Sequence, residues 1–320
     1  MKEDIKPIIP FEPKRSDHVP QGNQWIAQVK WDGVRVIAYD DGKKVRLFNR
    51  KKAERTFHYP ELTDIKSYCT AQTIILDGEV IALGLDGKPS FHEVMRRDGI
   101  RRMERVEQVR KLVPVTYMIF DVVYYNGKWV NDRPLKDRME ILAKSIVPND
   151  HVQLVSSHSD GQTLFDVVKE HKMEGIVTKD LDSTYLIGGK DQRWQKIKNY
   201  RELIAVVGGA TLREGCVNAV LLGLYDEKGQ LWYIGHAGTG KLKRSEWCEL
   251  TERVKPLIIK ERPFANRPER LKETVWVKPD MTAKIQFSEW TRGRTLRQPI
   301  IQAFVDIHPE TCIFQSQDWR

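Results

Sequence analysis

Lys30 stands in the run Lys30-Trp31-Asp32-Gly33-Val34-Arg35, between two apolar segments that alternate like strands. A lysine is a nucleophile only when neutral. With a reference pKa of ~10.4, on the order of one molecule in a thousand is neutral near pH ~7.4. Lowering that value toward ~8 costs the ammonium form ~3 kcal/mol. One unit charge ~4 Å away, at an effective dielectric of ~20, supplies ~4 kcal/mol. Arg35 or a bound metal would provide such a charge, and desolvation acts in the same direction. Asp32 favours the ammonium, so its part is orientation. Gly33 lets a bulky ligand approach the backbone. Taken alone, the run also describes an exposed hairpin with a solvated lysine.

Other residues give it a context. Asp77 and Glu79 lie in IILDGEVIAL, and alternation puts both on one face of a strand. Carboxylates between apolar neighbours are expected to be ion-paired or metal-bound. Glu174 opens EGIVTK in a similar setting. Glu79 and Glu174 are hard oxygen ligands suited to magnesium, which takes one or two carboxylates plus substrate phosphates. Salt bridges to Arg or Lys are the plainer alternative. Trp194, Lys196 and Lys198 share one face of a further strand, with Ile197 on the other. Converging ammonium groups call for an anion between them, although edge strands also carry lysines for protection. A lysine nucleophile, carboxylates for metal and cations for polyphosphate together describe nucleotidyl transfer, a chemistry of positioning and charge neutralisation.

These groups need elements to hold them. WIAQVKWDG and VRVIAYDD read as strands around a turn, and DDGKK as a hairpin. VRLFNRK, IILDGEVIAL, VTYMIFDVVYY, EGIVTKD and RWQKIKNY are further strands, with LDGKP a turn. Helices are expected over YPELTDIKSYC, over a basic stretch from roughly 91 to 111, over RPLKDRMEILAKSI with Pro134 near its start, and over GQTLFDVVKEHKM. Near residue 200 the texture changes to short strands with turn signals, interrupted by the helix SEWCELTERVKP. That pattern suits a small Greek-key barrel of the OB type. The expectation is an α+β chain: a domain of antiparallel sheets flanked by helices over 1–200, then an OB-fold barrel over 201–320.

The ordered set KWDGVR, FNR, LDGEV, FDVVYYNG, MEGIVTK and WQKIK, spanning residues 30 to 198, resembles the covalent nucleotidyltransferase superfamily and, within it, the ATP-dependent DNA ligases. WYIGHAGTG and FSEWTRGRTLRQP extend the likeness toward the ligase domain of the bacterial end-joining family, ligase D. The resemblance implies an adenylation domain, with Lys30 becoming lysyl-AMP. It places Arg35 and Arg50 near the AMP ribose and phosphate or the nick, Glu79 on ribose or metal, and Phe120 on the adenine. Glu174 corresponds to a metal-linked carboxylate, and Lys196 and Lys198 to phosphate-binding lysines. Arg294 and Arg297 are both candidates for orienting the leaving pyrophosphate. Many ligases carry glutamate two residues before the lysine, contacting the adenine amino group. Here that residue is Gln28, whose carbonyl accepts the same hydrogen bond. LRQP replaces the RxDK of many eukaryotic-type ligases. The implied reaction runs from ATP, with Mg2+ or Mn2+ in support, through lysyl-AMP to a sealed 5′-phosphate/3′-hydroxyl nick, and the barrel domain swings between a closed form and a DNA-clasping form.

The formal charge of +9 favours a polyanionic partner. Residues 96 to 111 concentrate seven basic against three acidic side chains, and Arg96, Arg97, Arg101, Arg102 and Arg105 are candidate DNA contacts. A solvated helix face is the alternative. The expected partner is nicked double-stranded DNA, with Ku or a separate repair polymerase as further candidates. The expected state is a monomer, cytoplasmic and nucleoid-associated, without a DNA-encircling N-terminal domain or a polymerase or nuclease module. No apolar run suits a signal peptide or a membrane span. Cys69, Cys216, Cys248 and Cys312 are too scattered for a zinc site and fit a reducing compartment. Gly235 to Lys241 nearly spells a P-loop, but Leu242 stands where Ser or Thr is needed, so it reads as a barrel hairpin with His236 on the surface. The competing functions are an RNA ligase, a GTP-dependent mRNA guanylyltransferase and a catalytically silent DNA-binding scaffold.

Overall fold

The computed structural model describes residues 5–238, 244–269, 271, 273–291 and 293–314. The chain divides into two units, one ending at Asn199 and one beginning at Tyr200.

The first unit contains two sheets. Its strands are β1 (Glu12–Arg15), β2 (Trp25–Val29), β3 (Val34–Asp40), β4 (Val45–Asn49), β5 (Ile74–Ile81), β6 (Thr116–Tyr125), β7 (Lys128–Trp129), β8 (Val152–Leu154), β9 (Ser157–His158), β10 (Gly175–Asp180) and β11 (Lys190–Lys198). One sheet runs β1-β11-β10-β2-β9; the other runs β4-β3-β5-β6-β7, with β8 on β6. Pairing is antiparallel except for β1 with β11 and β6 with β8, which are parallel. Phe11, Ile37, Ile75, Val123, Tyr185 and Trp194 form the apolar layer between the sheets. Four helices, α1 (Phe91–Asp98), α2 (Val106–Leu112), α3 (Leu135–Ser145) and α4 (Gly161–Glu170), complete the unit. Helix α4 starts at Asp160, whose side chain accepts from the Thr163 amide. Its Leu164 and Val168, one helical turn apart, pack with Ala27, Ile176 and Ile197 on the outer face of the first sheet.

Two expected helices differ. YPELTDIKSYC forms 3-10 turns at Pro60–Leu62 and Ile65–Ser67. The reason is in its spacing. Tyr59, Leu62, Ile65 and Tyr68 are all buried and recur every third residue, which matches the three-residue turn of a 3-10 helix. The single basic helix is two helices. Helix α1, capped by Ser90, stops at Gly99, and a 3-10 turn over Met103–Arg105 leads into α2. The Ile100 carbonyl at the break is taken by His58 Nε2 at 3.1 Å, so the chain is fastened there by a group outside the helix.

The second unit is built on β12 (Arg201–Arg213), β13 (Cys216–Tyr225), β14 (Leu231–Ala237), β15 (Ile258–Ile259), β16 (Thr274–Phe287) and β19 (Ile300–Val305), with the small hairpin β17 (Glu289–Trp290) and β18 (Leu296–Arg297). The order is β14-β13-β12-β16-β15, and β19 also pairs with β16. Helix α5 (Arg244–Val254) buries Trp247, Leu250 and Val254 against the same core as Val220, Leu222 and Ile285. The run TVWVKPDMTAKIQF forms one long strand, β16, rather than short ones. Pro279 is tolerated because the register with β12 jumps from Val207↔Met281 to Gly209↔Trp276, leaving the proline outside the ladder. His236 is half-buried with its Nδ1 2.5 Å from Tyr233 Oη, which corrects its placement as a surface residue. Thr239 to Leu242 of the P-loop-like run lie outside the described residues.

Candidate active site

Lys30 follows β2, where its amide donates to the Gly175 carbonyl at 2.9 Å. Antiparallel pairing then sets Gly175 opposite Lys198. Three neighbouring strands thus bring Lys30, Glu174 and Lys198 to one end of the sheet. Glu174 lies between the two cations: Oε2 is 2.5 Å from Lys30 Nζ and Oε1 is 3.0 Å from Lys198 Nζ. Burial opposes ionisation of Glu174, but Lys30 and then Lys198 outweigh it and hold the carboxyl below its ordinary value. Lys196 lies one alternation back on β11. Burial first, then repulsion from Lys190, Lys30 and Lys198, lowers its pKa. A cluster of ammonium groups that disfavours its own charge is a place for an anion.

Two glycines permit this closeness. A Cβ at Gly33 would lie 2.2 Å from the Val80 carbonyl oxygen, and one at Gly175 would lie 2.1 Å from that of Ile197. Gly175 also has φ of +144°.

The second sheet supplies the facing groups. The β3–β5 register sets Arg35 opposite Glu79. The Arg35 guanidinium reaches along to Asp77 instead, with Nε–Oδ1 2.9 Å and Nη2–Oδ2 2.5 Å. Tyr185 Oη donates to the same Asp77 at 2.6 Å. Asp77, fully buried, is therefore satisfied by a bidentate pair and a phenol. Arg35 lies behind the Phe120 ring, 5.2 Å from its centroid. Glu79 is pushed up to about 7 by burial, against the pull of Lys30 and Arg35.

Phe120 owes its aim to a bulge. In the β5–β6 register Asp77 pairs with Asp121 and Gly78 with Ile119, so Phe120 is the extra residue. Strict alternation would send Phe120 and Asp121 to opposite faces. The bulge instead lets the Phe120 ring meet Arg35 while buried Asp121 forms a bidentate pair with Arg138 at 2.8 and 3.0 Å. Lys179 completes this layer. Its Nζ donates to the Phe120 carbonyl at 3.2 Å and lies 4.4 Å from the Phe120 centroid and 4.1 Å from that of Trp194. Sequence reasoning missed Lys179, Tyr185 and Ser157. Position 179 falls inside EGIVTK, on the face shared by Val177, so alternation carried a signal for it.

Gln28 is buried on β2 and donates from Nε2 to Ser157 Oγ at 2.9 Å. Arg50 is exposed on the rim, its Nη1 3.7 Å from Glu12, outside the Lys30 cluster. Among the arginines of the basic run, Arg96, Arg101, Arg102 and Arg105 are exposed. Arg97 is not a surface contact. It is fully buried, 2.8 Å from Glu61, and donates to the His58 and Val113 carbonyls. Arg297 lies 2.6 Å from Glu289 across the β17–β18 hairpin, and Arg294 occupies its turn with φ of +59°. Among the described residues no three His, Cys, Asp or Glu side chains are placed to hold a metal, and no helix is long and apolar enough to cross a membrane.

Residues 14–198 match the family described as ATP dependent DNA ligase domain, and residues 213–305 the ATP dependent DNA ligase C terminal region. The Multifunctional non-homologous end joining DNA repair protein LigD of Mycobacterium tuberculosis is 30% identical over 284 residues, covering 87% of this chain and 36% of LigD. The chain thus spans about a third of that relative's length. A DNA ligase of Methanothrix thermoacetophila is 32% identical over 295 residues, covering 87% of this chain and 51% of the relative. The solved ligase domain of M. tuberculosis LigD superposes with a TM-score of 0.53 at 28% identity, covering 96% of this chain and 98% of that one. A structure of a Lig E DNA ligase, at 16% identity and a TM-score of 0.60, shares the fold; it covers 92% of this chain and 98% of that one.

Proposed function

This chain belongs to the ATP-dependent DNA ligase family, and from that premise we propose that Lys30 is the residue that carries AMP on the way to sealing a nick in duplex DNA. The observation that carries the assignment is Glu174 held between Lys30 and Lys198 at 2.5 and 3.0 Å, with Lys196 beside them. It joins a nucleophile, a proton acceptor in contact with it, and cations for phosphate.

Lys30 gives up a proton, Glu174 being the group already hydrogen-bonded to it. Its Nζ then attacks the α-phosphorus of ATP, and the bond to pyrophosphate breaks. Lys196 and Lys198 neutralise the phosphate oxygens. Phe120 stacks on the adenine, held by Arg35 and Lys179, and Gln28 reads its edge. AMP passes to the 5′-phosphate of a nick, and the 3′-hydroxyl displaces it. Arg50, Arg96, Arg101, Arg102 and Arg105, all exposed, are the candidates for contacting DNA phosphates. Arg294 and Arg297 remain equal candidates for the pyrophosphate. Magnesium, or manganese in its place, suits a site with two carboxylates whose charges interact, Glu79 and Glu174. It would bind with phosphate oxygens and neutralise their charge. The LigD likeness favours an end-joining role; to that reading belong a cytoplasmic monomer and Ku or a repair polymerase as associates.

Incubation with α-labelled ATP and magnesium tests the central step. The expected product is an acid-stable, hydroxylamine-labile label on the protein, absent in Lys30→Ala. Equal labelling of the variant would remove Lys30 from the mechanism.

A further inference from the structure

The hydrogen bond between Gln28 and Ser157 has a property that a carboxylate in place of Gln28 would lack. Residue pairing across the first sheet sets Ser157, Gln28, Val177 and Lys196 in one row, next to the Gly175–Lys198 pair that neighbours Lys30. Gln28 and Lys30 share a strand face, two residues apart. Gln28 is buried, uncharged and carries a donor and an acceptor on one rigid plane. Its Nε2 is engaged by Ser157 Oγ at 2.9 Å, which leaves Oε1 as the end offered to a ligand.

A serine hydroxyl both donates and accepts. If the Gln28 amide turns over, Ser157 donates to Oε1 and Nε2 faces the ligand. The serine is satisfied either way. The first orientation accepts from the amino group of adenine; the second donates to the carbonyl of a hypoxanthine or guanine ring. We propose that Ser157 sets the hydrogen-bond polarity of Gln28, and that the pair reads purines permissively, taking a ring carbonyl as well as an amino group. Ser157 is thus a positioning residue for base selection. The inference rests on Lys30 being nucleotidylated with its base at Gln28.

The test uses the full chain with α-labelled ATP and α-labelled ITP, which differ at this edge of the base and spare the guanine amino group. The readout is the ratio of kcat/KM for label transfer, which a general loss of activity leaves unmoved. The wild type is expected to use ITP within roughly tenfold of ATP. Ser157→Asp, ionised and acceptor-only, holds Nε2 and fixes Oε1 toward the base; ITP should then fall relative to ATP by roughly tenfold or more, the scale of one unsatisfied buried hydrogen bond. Gln28→Glu should move the ratio the same way. Wild-type rejection of ITP by about a thousandfold would overturn the proposal. So would an unchanged ratio in Ser157→Asp while ATP still labels. No label from ATP in the wild type would instead overturn the nucleotidylation reading, and this inference with it.

Discussion

Lys179 is a charge with almost nowhere to go. Its side chain is buried between two aromatic rings, and among the described residues its hydrogen-bond acceptor is the Phe120 backbone carbonyl. Burial pushes its pKa down to about 7, although Asp121 and Asp77 pull it back up. The sign of the pH effect follows. An unfolded lysine stays protonated well above pH 7, so the unfolded state binds more protons through that range and stability rises with pH. Wild type should therefore gain on Lys179→Met by about 2 kcal/mol between roughly pH 7 and 9, from one proton over two pH units. Paired denaturation curves at the two pH values measure this, and a difference that does not move with pH would show that Lys179 keeps its proton in the folded protein as it does in the unfolded chain. At this scale the sequence was legible where residue type and chemistry coincide. Lys30, Glu174, Lys196 and Lys198 meet as their motifs imply. Arg35 was less legible, because its Asp77 partner lies on a different strand.

Periodicity read the elements well where they are regular and failed where a register shifts. The bulge at Phe120 is invisible in FDVVYY, since nothing in the run marks which residue lacks a partner on β5. The three-residue spacing of Tyr59, Leu62, Ile65 and Tyr68 was present in the sequence but weighs the same as a helical pattern over so short a run. The basic stretch shows the same limit. Seven cations within residues 96 to 111 were read as one helix, yet Gly99 breaks it and Arg97 is buried against Glu61 from a distant segment. The two kinds of arginine should separate by experiment. Arg101→Glu with Arg102→Glu should weaken nick binding by roughly tenfold or more while self-adenylation persists; unchanged affinity would release this surface from DNA binding. Arg97→Ala should cost stability instead, about 3–5 kcal/mol, because Glu61 is left buried without its partner. Chemical denaturation distinguishes the two outcomes.

For the whole molecule, a formal charge of +9 carries meaning only through where the charge lies. Much of the basic content is internally neutralised: Arg35 with Asp77, Arg138 with Asp121, Arg97 with Glu61. Arg96, Arg101, Arg102 and Arg105 remain on the surface. The logarithm of nick affinity should fall linearly with log salt, and removing the Arg101 and Arg102 charges should lower the slope by about two, near 0.9 for each phosphate no longer neutralised. Titrations of labelled nicked duplex at several salt concentrations give the slope directly. An unaltered slope would mean that other residues neutralise the phosphates.

Glu174 adds a consequence for how such a centre fills. Its two oxygens lie against Lys30 and Lys198, the cations that a phosphate needs. Nucleotide capture is then a partial swap of one anion for another, in which a phosphate takes over Lys198 while Glu174 keeps the Lys30 contact through which it accepts the proton. The electrostatic gain is the difference between two similar ion pairs, so the lysine count overstates the attraction. Affinity should depend strongly on what receives the carboxylate oxygen released from Lys198, and a divalent cation should tighten the first encounter.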